Sequence, residues 1–169
     1  MGYIKKMKAQ ELVDSSRDYL NYVEEHLEFI RKAFDEVTDA CDGMAWVGDD
    51  FTWHTIRDAV ESHDLSKLSK EEFTQYRDKF YPIGDNTDSS FSVAWENHKN
   101  LNSHHHETAT NCNDIVHMVI DWVAMGYKFG DTAQSYYEAN IDTIELSSDH
   151  KELLYEIFRK LELFRGVQL

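Results

Sequence analysis

The chain has 169 residues, 41% of them apolar and 13% aromatic, with 32 acidic against 17 basic side chains and a formal charge of -15. That length fits one domain with a substantial core, and the aromatic share argues against disorder. The acidic balance makes a nucleic-acid polymer or an anionic membrane surface a poor partner, and no apolar run approaches the roughly 20 residues of a membrane span.

A single proline and seven glycines suit long helices joined by short loops. The first expected helix runs from Ala9 to Val37, where Leu12, Tyr19, Val23, His26, Leu27, Ile30 and Phe34 fall near one stripe. Thr38 to Asp50, with Gly43, Gly48 and paired aspartates, reads as a loop. A second helix is expected from Thr52 to about His63. After Leu65-Ser66-Lys67-Leu68, the Ser69-Lys70-Glu71-Glu72 stretch has the pattern of a capping box, and Tyr81-Pro82 ends the short helix it opens.

Ile83 to Ser90 is polar and turn-rich around Gly84-Asp85-Asn86. Phe91 to Leu101 is expected to be helical and is followed by three consecutive histidines, His104 to His106. Asn113 or Asp114 starts an apolar helix through Val123, with Gly126 as its expected C-cap. Asp131 or Thr132 opens a helix to Ala139, and the last helix spans Asp149 to Phe164, before Gly166. The expected class is therefore all-α, in a single domain over 1–169.

Met1-Gly2-Tyr3-Ile4-Lys5-Lys6 lacks the apolar stretch of a signal peptide, and Lys6 stands where a myristoylation signal wants serine or threonine. Cys41 and Cys112 are too few for a disulfide framework and are not spaced as a zinc motif. The cytoplasm is the expected location.

Nine histidines carry the chemistry. His63-Asp64 closes the second helix and offers imidazole and carboxylate side by side; neighbours on a helix point about 100° apart, so both reach one ion only at a helix end. Asp121 interrupts the apolar run Ile115 to Met125, where a charge is costly to bury without a partner; a lysine partner or a capping role is the plainer alternative. His117, one turn earlier on the same face, is within reach as a ligand or as a hydrogen-bond partner to one, although it reads more simply as a core or surface histidine. His26 and His98 lie on helices, where packed histidines are common. His54 and His150 read as surface residues. Imidazole with carboxylate suits zinc, manganese, iron or nickel.

The order His26, His63-Asp64, Asp121 resembles the HD-domain superfamily of metal-dependent phosphohydrolases. That resemblance implies a helical bundle of HD type in which His26, His63, Asp64 and Asp121 bind metal. His98 with His104 and His105 resembles the enlarged version that holds two ions. More closely, His63-Asp64-Leu65-Ser66-Lys67, Glu72-Phe73-Thr74-Gln75-Tyr76-Arg77, Ala94-Trp95-Glu96-Asn97-His98, Asn102-Ser103-His104-His105 and Asp121-Trp122 resemble a family of short bacterial and phage proteins, over roughly 20–130, that brings no established reaction. Two departures stand out. Ser66 and Lys67 occupy the place where nucleotide-cleaving HD hydrolases often carry a glutamate. His105-His106-Glu107 matches the start of a motif of two-metal cyclic-dinucleotide phosphodiesterases but lacks its glycine-tyrosine-proline part. The Asn-x-His-His register of the closer family favours His104 and His105 among the three adjacent histidines, His104, His105 and His106.

The resemblance implies one or two divalent ions (manganese, iron, zinc, nickel or magnesium) and a small phosphorylated substrate. Asp64 or Asp121 would bridge the ions, and Lys67, three residues after Asp64, would clamp a phosphate. Lys70 and Arg77 are more distant phosphate candidates and read as solvated helix residues. Trp95, Tyr76 and Trp122 are either base-stacking platforms or core. The same ligand order also resembles HD-type di-iron oxygenases, and a third reading is a non-catalytic protein whose metal staples helices or holds a ligand or protein partner.

Overall fold

The computed structural model describes residues 2–44, 51–83 and 90–167, and among these all regular structure is helical. The protein is all-α. The first helix, α1 (Gly2–Ala40), is 39 residues long because nothing after Gly2 breaks it. It begins earlier than the apolar stripe indicates, through Lys5-Lys6-Met7-Lys8-Ala9, all good helix formers. It also continues past Val37, where Thr38 Oγ1 donates to the Phe34 carbonyl at 2.7 Å. A turn follows, with Gly43 at φ +70, which glycine adopts without strain. Gly48, Asp49, Asp50 and the Gly84-Asp85-Asn86 turn lie outside the described residues.

Helix α2 (Trp53–Glu61) is capped by Thr52, whose side chain accepts from the Thr55 amide at 3.1 Å. It ends two residues before His63. A 3-10 turn (Leu65–Leu68) leads to α3 (Phe73–Phe80). The capping box expected at Ser69 does not form. Glu72 stands at the N-cap position without a side-chain capping bond, because its carboxylate is engaged elsewhere, as described below. Helix α4 (Phe91–Leu101) matches expectation.

Helix α5 (Cys112–Phe129) is capped by Asn111, which accepts from the amides of Asn113 and Asp114. It runs on past Val123 to a left-handed Gly130 at φ +81, so Gly130 and not Gly126 is its C-cap residue. Gly126 has a packing role instead: a Cβ there would lie 2.6 Å from the Asp131 carbonyl oxygen. Thr132 and Ser135 form a capping box for α6 (Ala133–Ala139). The last helix, α7 (Ser148–Val167), includes Gly166. No helix among the described residues is long and apolar enough to cross a membrane.

The chain divides into two compact units, one of residues up to His26 with Asp64–Leu101, the other of Leu27–His63 with residues from Asn102 onward. In the second unit α5 is central, packed against α2, α6 and α7. That position explains why α5 is apolar on most of its circumference: Ile115, Val116, Met118, Val119, Ile120 and Val123 are all buried. Facing residues include Ile56, Val60, Tyr137, Leu154 and Ile157, with Ile30, Phe34 and Val37 from α1. Each such side chain contributes about 1.5–3 kcal/mol on burial. Glu36 of α1 accepts from Arg165 Nε of α7 at 2.6 Å and from the Tyr127 hydroxyl of α5.

The first unit has shorter helices after α1 and fills its core with aromatic rings. Tyr19 meets Phe73 edge-on at 5.1 Å, and Tyr76 meets Phe91 at 5.2 Å. Ser15 Oγ donates to the Tyr81 carbonyl at 2.7 Å, fixing the segment after α3 to α1.

Candidate metal centre

In the first unit the chemistry gathers on Asp64. Its backbone is left-handed, at φ 56 and ψ 20, a region that costs most L-residues about 1–2 kcal/mol but that aspartate visits more readily. The bend follows the end of α2 and starts the 3-10 turn. The carboxylate is buried, with Oδ1 3.2 Å from His98 Nε2 of α4 and Oδ2 3.7 Å from His26 Nε2 of α1. Lys67 Nζ reaches Oδ2 at 2.5 Å. Residues three apart eclipse on a 3-10 turn, so the turn aligns Lys67 with Asp64.

Behind His98 lies Glu72, fully buried. Its Oε2 accepts from His98 Nδ1 at 3.0 Å and from Ser66 Oγ at 3.0 Å, while Oε1 accepts from Asn97 Nδ2 at 2.7 Å. These bonds offset a desolvation cost of several kcal/mol for a buried carboxylate. They also fix the ring. A carboxylate accepts only, so the proton sits on Nδ1, and Nε2 turns its lone pair toward Asp64. Two acceptors 3.2 Å apart repel unless a cation, a proton or a metal ion, lies between them. The surrounding field is negative as well. Tyr19 and Tyr76 have their hydroxyl pKa values raised, first by burial and then by the charges of Asp64 and Glu72.

In the second unit the buried donors are imidazoles. His63, just beyond the end of α2, places Nδ1 2.9 Å from His117 Nε2 and Nε2 3.8 Å from Asp121 Oδ1. The His104 ring lies 4.5 Å from that of His63 and 4.6 Å from that of His117, centroid to centroid. One nitrogen from each of the three lies within 4.8 Å of the others. The loop carrying His104 is folded by Thr108, whose Oγ1 donates to the carbonyls of Asn102 at 3.0 Å and His105 at 3.2 Å.

The structure therefore sets His26, His98 and Lys67 around Asp64 in one unit, and His104, His117 and Asp121 each beside His63 in the other. Of the histidine triplet, His104 is buried, while His105 is half-buried with its ring 4.4 Å from that of His104. His106 instead faces Glu107 at 3.4 Å. Asp121 is less enclosed than its apolar neighbours suggest, with 18% of its side chain exposed.

Glu72 and His117 stand in these clusters although their sequence context points elsewhere. Glu72 carried the signature of a helix cap. His117 carried a usable signal, its position one turn before Asp121. Arg77 is corrected too: it is buried against Asp78 at 2.6 Å and is not a solvated residue. Lys70 is exposed, and His54 pairs with Asp58 at the surface. Tyr76 belongs to the aromatic core, Trp122 packs on Tyr136 and Tyr137, and Trp95 stacks on His98.

As chemistry, buried imidazoles and the buried Asp64 carboxylate are donors that could hold a divalent ion. Residues 15–160 match the model of a family of unknown function, DUF5662. The chain belongs to this family. No curated protein and no solved structure matches it. The DUF5662 match spans every donor from His26 to Asp121, and leaves outside it only the start of α1 and the end of α7.

Proposed function

We propose that the chain is a metal-dependent phosphohydrolase of HD type acting on a nucleotide or another small phosphate ester. The supporting observation is Asp64 Oδ1 at 3.2 Å from a His98 nitrogen that Glu72 turns toward it, a pair of acceptors that calls for a cation. His26, Asp64 and His98 would hold one ion. His63, His104 and Asp121, with His105 beside His104, offer donors for a second. A divalent ion in such a site supplies Lewis acidity, activating water and neutralising negative charge that builds on a phosphoryl group.

The chain's own residues do the rest. Glu72 orients His98, and the buried turn at Asp64 fixes its carboxylate. Lys67 offers a positive group for a non-bridging phosphate oxygen, a local attraction in an otherwise acidic protein. That lysine favours an anionic ester as the substrate. A cytoplasmic setting is supported by Cys41, a buried thiol.

The test couples elemental analysis of the purified protein to a screen of nucleotides and generic phosphodiesters. The His63→Ala/Asp64→Ala double variant should lose metal and hydrolysis together. Turnover that survives unchanged in that variant would sink the proposal.

A further inference from the structure

His117 sits on α5 four residues before Asp121, so both side chains face the same way, toward His63. The His63 ring lies between them. Its Nδ1 is 2.9 Å from His117 Nε2, and its Nε2 is 3.8 Å from Asp121 Oδ1. The first distance is that of a hydrogen bond; the second is too long for one, yet spans two ligands of a common ion. The nitrogen of His63 that faces His117 is not the one that faces Asp121, so an ion held at Nε2 leaves Nδ1 to His117. The geometry thus separates the roles of the two neighbours.

We infer that His117 is a positioning residue for His63, not a metal ligand: its Nε2 accepts the Nδ1 proton of His63 and so turns His63 Nε2 toward the ion shared with Asp121. A neutral imidazole that gives one nitrogen to a cation keeps its proton on the other, and a fixed acceptor for that proton sets both tautomer and ring orientation. His117 is only 6% exposed, so water is a poor substitute acceptor. Glu72 plays the matching part for His98 in the other unit, with a carboxylate where this one uses an imidazole. The inference rests on the proposed metal role of His63.

The experiment uses zinc as the probe. Zinc affinity and stoichiometry of the full chain are measured by chelator competition for wild type, His117→Gln and His117→Phe, with thermal unfolding as a check on the fold. Imidazole ¹⁵N spectra of the zinc-loaded wild type report the tautomer of His63. Glutamine can accept through its amide oxygen and should keep affinity near wild type. Phenylalanine should weaken zinc binding about 10–100-fold, the usual cost of losing such a partner, with stoichiometry unchanged. The spectra should show His63 protonated at Nδ1 and metal-bound at Nε2. A wild type that takes up no zinc would overturn this inference, and one that takes up none of zinc, manganese, iron and nickel would remove the metal reading as well. Zinc uptake with unaltered affinity in His117→Phe would overturn the inference alone, as would the loss of one zinc in His117→Gln.

Discussion

His98 stands between two carboxylates, with Nδ1 3.0 Å from Glu72 Oε2 and Nε2 3.2 Å from Asp64 Oδ1. A neutral imidazole can satisfy only one of these as a donor. Glu72 is fully buried and also bonded to Ser66 and Asn97, so it is the anchored partner, and Asp64 is the side on which a cation is needed.

Glu72→Gln should therefore weaken metal binding without removing a ligand. Loss of a partner behind a ligating histidine typically costs about 10–100-fold in affinity, and chelator competition measures it. An unchanged affinity would mean that Glu72 serves packing alone.

Lys67→Ala should keep the metal and lose rate. Removing one charged group that stabilises a transition state costs on the order of 10² in kcat, and the proposed role puts the loss in hydrolysis of phosphate esters. Metal loss equal to that of an Asp64 variant would instead make Lys67 a structural partner of Asp64.

Gly126→Ala should destabilise the protein. In an ordinary helix interior alanine gains up to about 1 kcal/mol over glycine. Here the added methyl meets the Asp131 backbone carbonyl at 2.6 Å, and overpacking of that kind costs about 1–3 kcal/mol, so the clash wins. A midpoint in urea that rises would contradict the packing described for α5 and the turn after it.

Glu36 gives a pH signature. Burial alone would raise its carboxyl pKa, but hydrogen bonds from Arg165 and Tyr127, with the charges of Arg165 and Lys32, outweigh it and hold the group below the usual range. A folded-state value below the unfolded one of about 4.3 contributes stability above that pH. The contribution is lost as pH falls through the folded value. Glu36→Gln should melt below wild type at pH 6, with the gap narrowing toward pH 3. A gap independent of pH would show that the carboxylate charge is not what ties α1 to α7.

The helices were legible wherever a local rule met no competitor. Thr52 and Thr132 cap α2 and α6 as their sequences indicate, and Tyr81-Pro82 stops α3. The misreadings arose where long-range contacts overrode a local pattern. Ser69 to Glu72 has the spelling of a capping box, but three hydrogen bonds from side chains distant in sequence or turned inward hold the glutamate. Gly126 has the look of a helix end because glycine usually marks one, while its place is set by the chain folding back at Asp131. For the candidate site, His26, His63, Asp64 and His98 stand out in the sequence and are all buried, whereas the bonds of Glu72 to His98 and of His117 to His63 join residues whose spacing does not encode them. The burial of Arg77 is hidden from the sequence for the same reason, since it depends on the packing around α3.

The proposed function requires that a metal ion, and not a proton, lie between Asp64 and His98. Elemental analysis after reconstitution with manganese, iron, zinc or nickel, on wild type, Asp64→Asn and His98→Gln of matched helical content, tests it most directly. Stoichiometric metal is expected in the wild type, with a loss in both variants. Wild-type protein that stays metal-free, or an Asp64→Asn variant that keeps its full complement, would contradict it.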